Sequence, residues 1–244
     1  MTVQPKPSRR ILHTSDIHVL NSGDKGARSL EAVVNLAIKS RADLLLIAGD
    51  LFDQHRIDDT TLAFVQEQVW RIPIPVVILP GNHDCLVEGS VYHSSRWHEC
   101  RNVHIFTDGR GETLDLHDLN VSIWGRPIDT YDDVLPLKDM PRPEKNGEWN
   151  IAMAHGMFQR TPPEFKRSYA ITESEVKGSG WDYMALGHMP RFDHICSDPM
   201  ACYSGSPTDT GLVALVELDE ASGVKVMPVP LQAQNLSLGS SPSP

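Results

Sequence analysis

An α/β fold built around a parallel sheet is predicted by three features of the sequence. An aliphatic run, residues 44–48, is too short for a helix and is closed by Gly49; segments of helical period flank it; and carboxylates or imidazoles recur just after the apolar runs. A continuous aliphatic run of this length is the pattern of a strand covered on both faces. In open α/β sheets the ligand crevice lies beyond the carboxyl ends of such strands. Here that end delivers Asp50 and Asp53. Gly49 places no side chain beside Asp50, so a single carboxylate there can bridge two cations.

Taken in order, Ile11 and Leu12 open a short strand that ends in Thr14-Ser15-Asp16-Ile17-His18. Asp16 and His18 flank one residue and point the same way in extended backbone, a chelate-like pair, although D-x-H alone is a weak signal. A Gly-bearing loop, 21–26, leads into a segment (27–40) whose Leu30, Val33, Val34 and Ala37 follow the helical period. After the central strand, Asp58 or Asp59 caps a second helix with Leu62, Val65 and Val69 on its buried face. A third strand, 74–79, delivers Pro80-Gly81-Asn82-His83-Asp84. That turn holds a neutral oxygen donor, an imidazole and a carboxylate, as metal binding beside proton transfer requires; Gly, Asn and Asp are equally ordinary turn formers. A right-handed βαβ crossover brings the turn beside Asp50, which favours the functional reading.

Residues 86–147 carry weaker signals: short strands at 103–106 and 121–124, then an ordered, Pro-rich surface connection with Pro127, Pro136, Pro141 and Pro143. His93, His98, His104 and His117 lack ligand spacing and read as surface or half-buried imidazoles. A strand at 149–154 ends in His155-Gly156. Thr172 and Glu175 form a capping box for a short helix, a strand at 182–186 ends in Gly187-His188, and a hairpin (211–218, 224–231) follows. Oxygen and imidazole donors at Asp16/His18, Asp50, Asn82, His155 and His188 thereby converge on one rim of the sheet.

Composition bounds the function. The 244 residues suit one domain, expected at 9–232 between a flexible N-terminus (1–8) and a disordered tail (233–244). No apolar run approaches the ~18 residues of a membrane span, and the first residues lack the apolar core of a signal peptide. Four cysteines without C-x-x-C spacing fit a reducing cytoplasm; Cys196 and Cys202 flank an Asp198-Pro199 turn and read as reduced thiols. A net charge of -10 argues against a strongly electrostatic nucleic-acid binder, although two divalent cations in an acidic site would bring it to about -6. Arg160, Lys166 and Arg167 are the nearest approach to a basic cluster and read as a solvated loop.

The series D-x-H (Asp16, His18), G-D-x-x-D (Gly49, Asp50, Asp53), G-N-H-D (81–84), H-G (His155) and G-H (Gly187, His188) resembles the calcineurin-like metallophosphoesterase superfamily. The segments GDLFD, WDYMALGH and YSGSPTDTG most resemble its SbcD-like DNA repair exonucleases, over residues 11–231 and without their capping domain. The resemblance implies a four-layer α/β/β/α sandwich of two mixed sheets with a dinuclear metal centre. It puts Asp16, His18 and Asp50 on the first metal and Asp50, Asn82, His155 and His188 on the second, with His83 as proton donor and Asp53 orienting it. Two cations ~4 Å apart neutralise phosphate charge and make hydroxide available near neutral pH. The mixed oxygen and nitrogen donors suit manganese first, then iron or zinc. The family motif ends G-H-x-H, whereas Pro190 stands at its last position here; either water, Asp193 or His194 fills that place, or the first site binds weakly and fills only at high metal concentration. The implied partners are a phosphodiester substrate, nucleic acid or nucleotide, and an SbcC-like ATPase, with no membrane. Two other readings stand beside a nuclease-like phosphodiesterase: a small-molecule or cyclic-nucleotide phosphodiesterase, and a non-catalytic phosphate-binding module.

Overall fold

The chain alternates strand and helix through its first half. The computed structural model describes residues 5–144, 147–160 and 169–231; the expected tail (233–244), Lys166 and Arg167 lie outside them. Strands β1 (Arg9–Thr14), β2 (Leu44–Ala48), β3 (Val76–Leu79) and β4 (Val103–Ile105) are interleaved with helices α1 (Lys25–Ser40) and α2 (Asp59–Trp70). Then follow β5 (Glu112–Leu116), β6 (Val121–Gly125) and β7 (Trp149–His155), the short pair β8 (Met157–Gln159) and β9 (Ala170–Thr172), and the one-turn helix α3 (Glu173–Val176). The chain continues through β10 (Tyr183–Gly187), β11 (Phe192–Ser197), β12 (Met200–Ser204), β13 (Leu212–Asp219) and β14 (Gly223–Pro230).

Two six-stranded mixed sheets result, in the orders β14-β13-β1-β2-β3-β4 and β11-β12-β10-β7-β6-β5. In the first, β1 to β4 are mutually parallel and β13 joins antiparallel to β1. In the second, β12, β10, β7 and β6 are parallel and both edge strands antiparallel. Side-chain alternation along β2 explains its unbroken aliphatic run. Leu45 and Ile47 pack with Leu30, Val33, Val34, Leu62, Val65 and Val69 of the helices, while Leu44, Leu46 and Ala48 meet Ile123, Ile151, Met153 and Tyr183 of the other sheet. The outer face of the second sheet, with Trp124, Ala152, Met184 and Leu186, is covered by Leu137, Ile171, Val176 and Trp181. Those residues belong to the Pro-rich connection, β9, α3 and the turn before β10, so the fourth layer of the sandwich is thin.

The predicted boundaries are set by identifiable caps. Asp24 accepts from Ala27 N (2.7 Å) at the start of α1, and Asp58, one of the two predicted caps, accepts from Thr61 N (2.8 Å) at the start of α2. Both bonds of the Thr172–Glu175 capping box are present. At the N-terminus, Lys6 pairs with Asp182 (2.7 Å) over the Trp149 ring, and Trp149 Nε1 donates to Pro7 O. Cys196 faces Ala201 across the β11–β12 hairpin, and all four thiols are free.

Candidate metal centre

The carboxyl ends of five strands, β1, β2 and β3 from one sheet and β7 and β10 from the other, meet at one place. After β1 the chain bonds along the turn after β2: Asp16 N donates to Gly49 O (3.0 Å), and Ile17 N (2.8 Å) and His18 N (3.0 Å) both donate to Asp50 O. The turn after β3 closes on the same residue, His83 N donating to Asp50 Oδ1 (3.0 Å). The second sheet enters through His155, whose Nδ1 bonds Ala48 O (2.9 Å), and through His188, whose backbone N donates to Asp16 Oδ2 (3.1 Å). Side chains could not replace hydrogen at two crossings. A methyl group on Gly49 would strike the His155 ring, and one on Gly81 would strike the Asp50 carboxylate.

Asp16, His18, Asp50 and His188 all have left-handed backbone, with φ of 54°, 55°, 53° and 98°. Each costs on the order of 1–3 kcal/mol and persists only where neighbours over-determine it. The end of β12 and the segment after it brace the turn after β1: Ser206 Oγ donates to Asp16 O (2.7 Å), Thr208 Oγ1 to Ile17 O (2.6 Å), and Ser204 Oγ meets Ser15 Oγ (3.1 Å).

Two donor sets emerge. Asn82 Oδ1 lies 3.0 Å from both His155 Nε2 and His188 Nδ1, and His155 Nε2 lies 3.2 Å from Asp50 Oδ2. Donors on one tetrahedral cation with bonds of about 2.0–2.1 Å stand about 3.3 Å apart, so this set fits a single ion. One atom each from Asp16, His18 and Asp50 forms the other set, all within 4.8 Å of one another, with His18 Nε2 3.9 Å from Asp50 Oδ2. Asp50 belongs to both.

The electrostatics call for positive charge. Burial pushes the Asp16 carboxyl up, His155 opposing and Asp50 adding to the shift. Burial also works to raise Asp50, but the charge and hydrogen bond of His155, the His83 backbone bond and the His83 charge outweigh it and hold the carboxyl well below its usual range. His155 in turn is raised to about 9, its two carboxylate neighbours overcoming burial. His188 is lowered to about 4 by burial and by His155, so near neutral pH its ring offers a lone pair. Carboxylates, an amide oxygen and imidazole nitrogens around two shared points fit a pair of divalent cations.

All eight residues expected at the site are brought together, with two differences of detail. His83 Nδ1 meets Asp53 through the backbone carbonyl (3.1 Å); the Asp53 carboxylate is nearer His18 Nδ1 (3.1 Å) than His83 Nδ1 (3.7 Å). Pro190 is exposed and its carbonyl accepts from Ser206 N (2.8 Å) and Thr210 Oγ1 (3.1 Å), while Asp193 pairs with Arg191 (3.3 Å). Neither Asp193 nor His194 joins a donor group among the described residues.

Sequence reasoning missed the braces. Asp84, fully buried, accepts from Phe52 N (3.0 Å), Gly81 N (2.7 Å) and Tyr92 Oη (2.5 Å), tying the turn after β2 to the turn after β3. Its place in G-N-H-D was visible; its partners were not. Ser206 and Thr208 had only the hydroxyl-rich character of their segment as a signal.

The family model for calcineurin-like phosphoesterases matches residues 9–192. YhaO of Bacillus subtilis (strain 168), named an uncharacterized metallophosphoesterase, is 27% identical over 186 residues, 73% of this chain and 44% of YhaO. A component of the nuclease SbcCD from Staphylococcus epidermidis, its SbcD chain, is 23% identical, over 90% of this chain and 66% of that protein. The DNA double-strand break repair protein Mre11 of Aeropyrum pernix is 35% identical over 85 residues, 31% of this chain and 21% of Mre11. The chain thus spans less than two thirds of each of these relatives. The crystal structure of TT1561 from Thermus thermophilus shares the fold, with a TM-score of 0.62 at 14% identity over 93% of this chain and all of TT1561.

Proposed function

The chain belongs to the calcineurin-like phosphoesterase family, and from that premise we propose that it is a metal-dependent phosphodiesterase acting on a nucleic-acid or nucleotide phosphodiester. The observation that carries this reading is the convergence of Asp16, His18, Asp50, Asn82, His155 and His188 from two sheets, with His83 beside them. When bound, the cations supply Lewis-acid neutralisation of the phosphate and an activated water. Asp16, His18 and Asp50 would hold one ion, and Asp50, Asn82, His155 and His188 the other. Manganese suits these donors ahead of iron or zinc, and Pro190 leaves the first ion with three protein donors and weaker binding. His83 Nδ1, held by the Asp53 carbonyl, leaves Nε2 to give a proton to the departing alkoxide, an effect worth ~10²–10⁴-fold.

The family match ends at residue 192, yet β12, β13 and β14 complete both sheets, so the proposed domain runs over 9–232. Among the described residues no helix is long and apolar enough to cross a membrane, and four free thiols fit the cytoplasm. An SbcC-like ATPase partner is implied by the sequence resemblance, and the similarity to one component of the nuclease SbcCD supports it. The net charge of -10 favours a second reading, a small or cyclic-nucleotide diester, over a long polyanion.

Hydrolysis of an aryl phosphodiester across a manganese titration tests the activity. Turnover should rise with manganese and fall at least a hundredfold in His83→Ala, while that variant keeps its manganese. A native chain that binds manganese and turns over nothing would favour a phosphate-binding module. A shallow dependence of oligonucleotide affinity on salt would favour the small diester.

A further inference from the structure

His18 stands where two donor groups overlap. One is Asp16, His18 and Asp50; the other is His18, Asp53 and His83, again with one donor atom from each within 4.8 Å of the others. The two faces of one imidazole serve them separately, Nε2 towards Asp50 (3.9 Å) and Nδ1 towards Asp53 Oδ1 (3.1 Å). His18 Nδ1 is buried and, in spite of that distance, makes no hydrogen bond, because the ring N–H is not aligned with the carboxylate. Alignment matters to a hydrogen bond; a cation needs only converging lone pairs. Asp53 Oδ1 lies 3.1 Å from His18 Nδ1 and 3.7 Å from His83 Nδ1, which bracket the about 3.3 Å edge of a tetrahedral shell. The two rings stand edge to face at 4.7 Å, so neither blocks the other.

We propose that His18 Nδ1, Asp53 Oδ1 and His83 Nδ1 form an alternative, zinc-selective seat for the first cation, and that filling it silences His83. A neutral imidazole serves one cation at a time, so occupying this seat empties the Asp16 seat of its only nitrogen donor. Two imidazoles and a carboxylate suit zinc, whereas two carboxylates and one imidazole suit manganese. Pro190 leaves the Asp16 seat with three protein donors, the same number as its competitor. A cation on His83 Nδ1 displaces the contact to the Asp53 carbonyl and removes the imidazolium form, so no acidic proton remains for a leaving group. Manganese then supports turnover, and excess zinc arrests it.

The inference rests on the centre holding cations, not on turnover, and binding is its readout. Equilibrium dialysis of the full chain is run with zinc alone and with manganese alone, for the native protein, His83→Ala and Asp53→Asn. Each variant should bind zinc at least tenfold more weakly in the weaker of its binding phases, with manganese affinity within twofold of native. Unchanged zinc affinity in both variants overturns the proposal, and so does a loss shared equally by the two metals. Selective zinc loss in a chain that turns over no diester would sink the proposed activity and leave the seat standing. Turnover without selective zinc loss would do the reverse.

Discussion

His13 lies three residues before Asp16, on the face of β1 that meets the second sheet, and is fully buried. Its Nδ1 is 2.8 Å from Tyr183 Oη. Burial lowers its pKa from 6.5 to about 3, a bond with the Leu186 backbone opposing. The unfolded chain therefore takes a proton below about 6.5 that the folded chain refuses until about 3. Stability falls as pH drops through that window, by up to about 1.4 kcal/mol per pH unit. Asp84 works the other way: burial, then Asp50, raise it to about 6, so its contribution is lost as pH rises towards that value. Comparing native and His13→Gln isolates the first effect. Chemical denaturation of the metal-free chain between pH 4 and 6 should show a flatter pH dependence in the variant, and an equally steep one would show that other groups govern acid lability. Nothing in the local sequence marks His13, because its burial depends on a tyrosine 170 residues away.

At the scale of elements, Asp84 makes one unit of two turns that the chain separates by a whole helix. Asp84→Ala strands the buried N–H groups of Phe52 and Gly81 and the Tyr92 hydroxyl. The expected loss is about 3 kcal/mol or more of stability, with manganese affinity down about 10–100-fold as Asp50 and Asn82 lose their relative placement. Tyr92→Phe should cost about 1.5–3 kcal/mol and leave manganese affinity near native, since both turn N–H groups keep the carboxylate. Denaturant titration and a manganese isotherm on both variants separate the roles; equal manganese loss in the two would refute the clamp. Elements with a strong signal were legible before the structure. The aliphatic run of β2 and the capping box before α3 were read directly from residue order, and 74–79 differs from β3 only at its start. β5 was missed because Glu112–Leu116 sits at a sheet edge with only half-buried leucines. β8 and β9, three residues each, are too short to show a period. The six donors were legible because each follows a strand, whereas the nearness of Asp53 to His18 depends on side-chain directions that spacing does not encode.

For the molecule as a whole, the centre is a joint between sheets. Asp16, His18, Asp50 and Asn82 follow strands of the first sheet, whereas His155 ends β7 and His188 follows β10 of the second. Without cations the joint is the buried His155–Asp50 pair and the Asn82 bonds to both imidazoles. Cations held as proposed would replace these contacts with ligation to both sheets, and an ion that binds only the folded chain stabilises it by about 2.7 kcal/mol at a hundred times its Kd. For a domain of this size that is a rise in Tm of about 5–10 °C. Asp50→Asn should lower the metal-free Tm, since it leaves His155 buried without its counter-charge, and should abolish most of the manganese shift. Leu46→Ala is the matched control: it empties a site between the sheets and should cost about 2–5 kcal/mol, yet every donor remains. Its Tm should start lower and still rise with manganese by nearly the native amount. If Asp50→Asn rises as far as the native chain, Asp50 does not bridge the cations. If Leu46→Ala loses the shift, the joint depends on core packing rather than on its ligands.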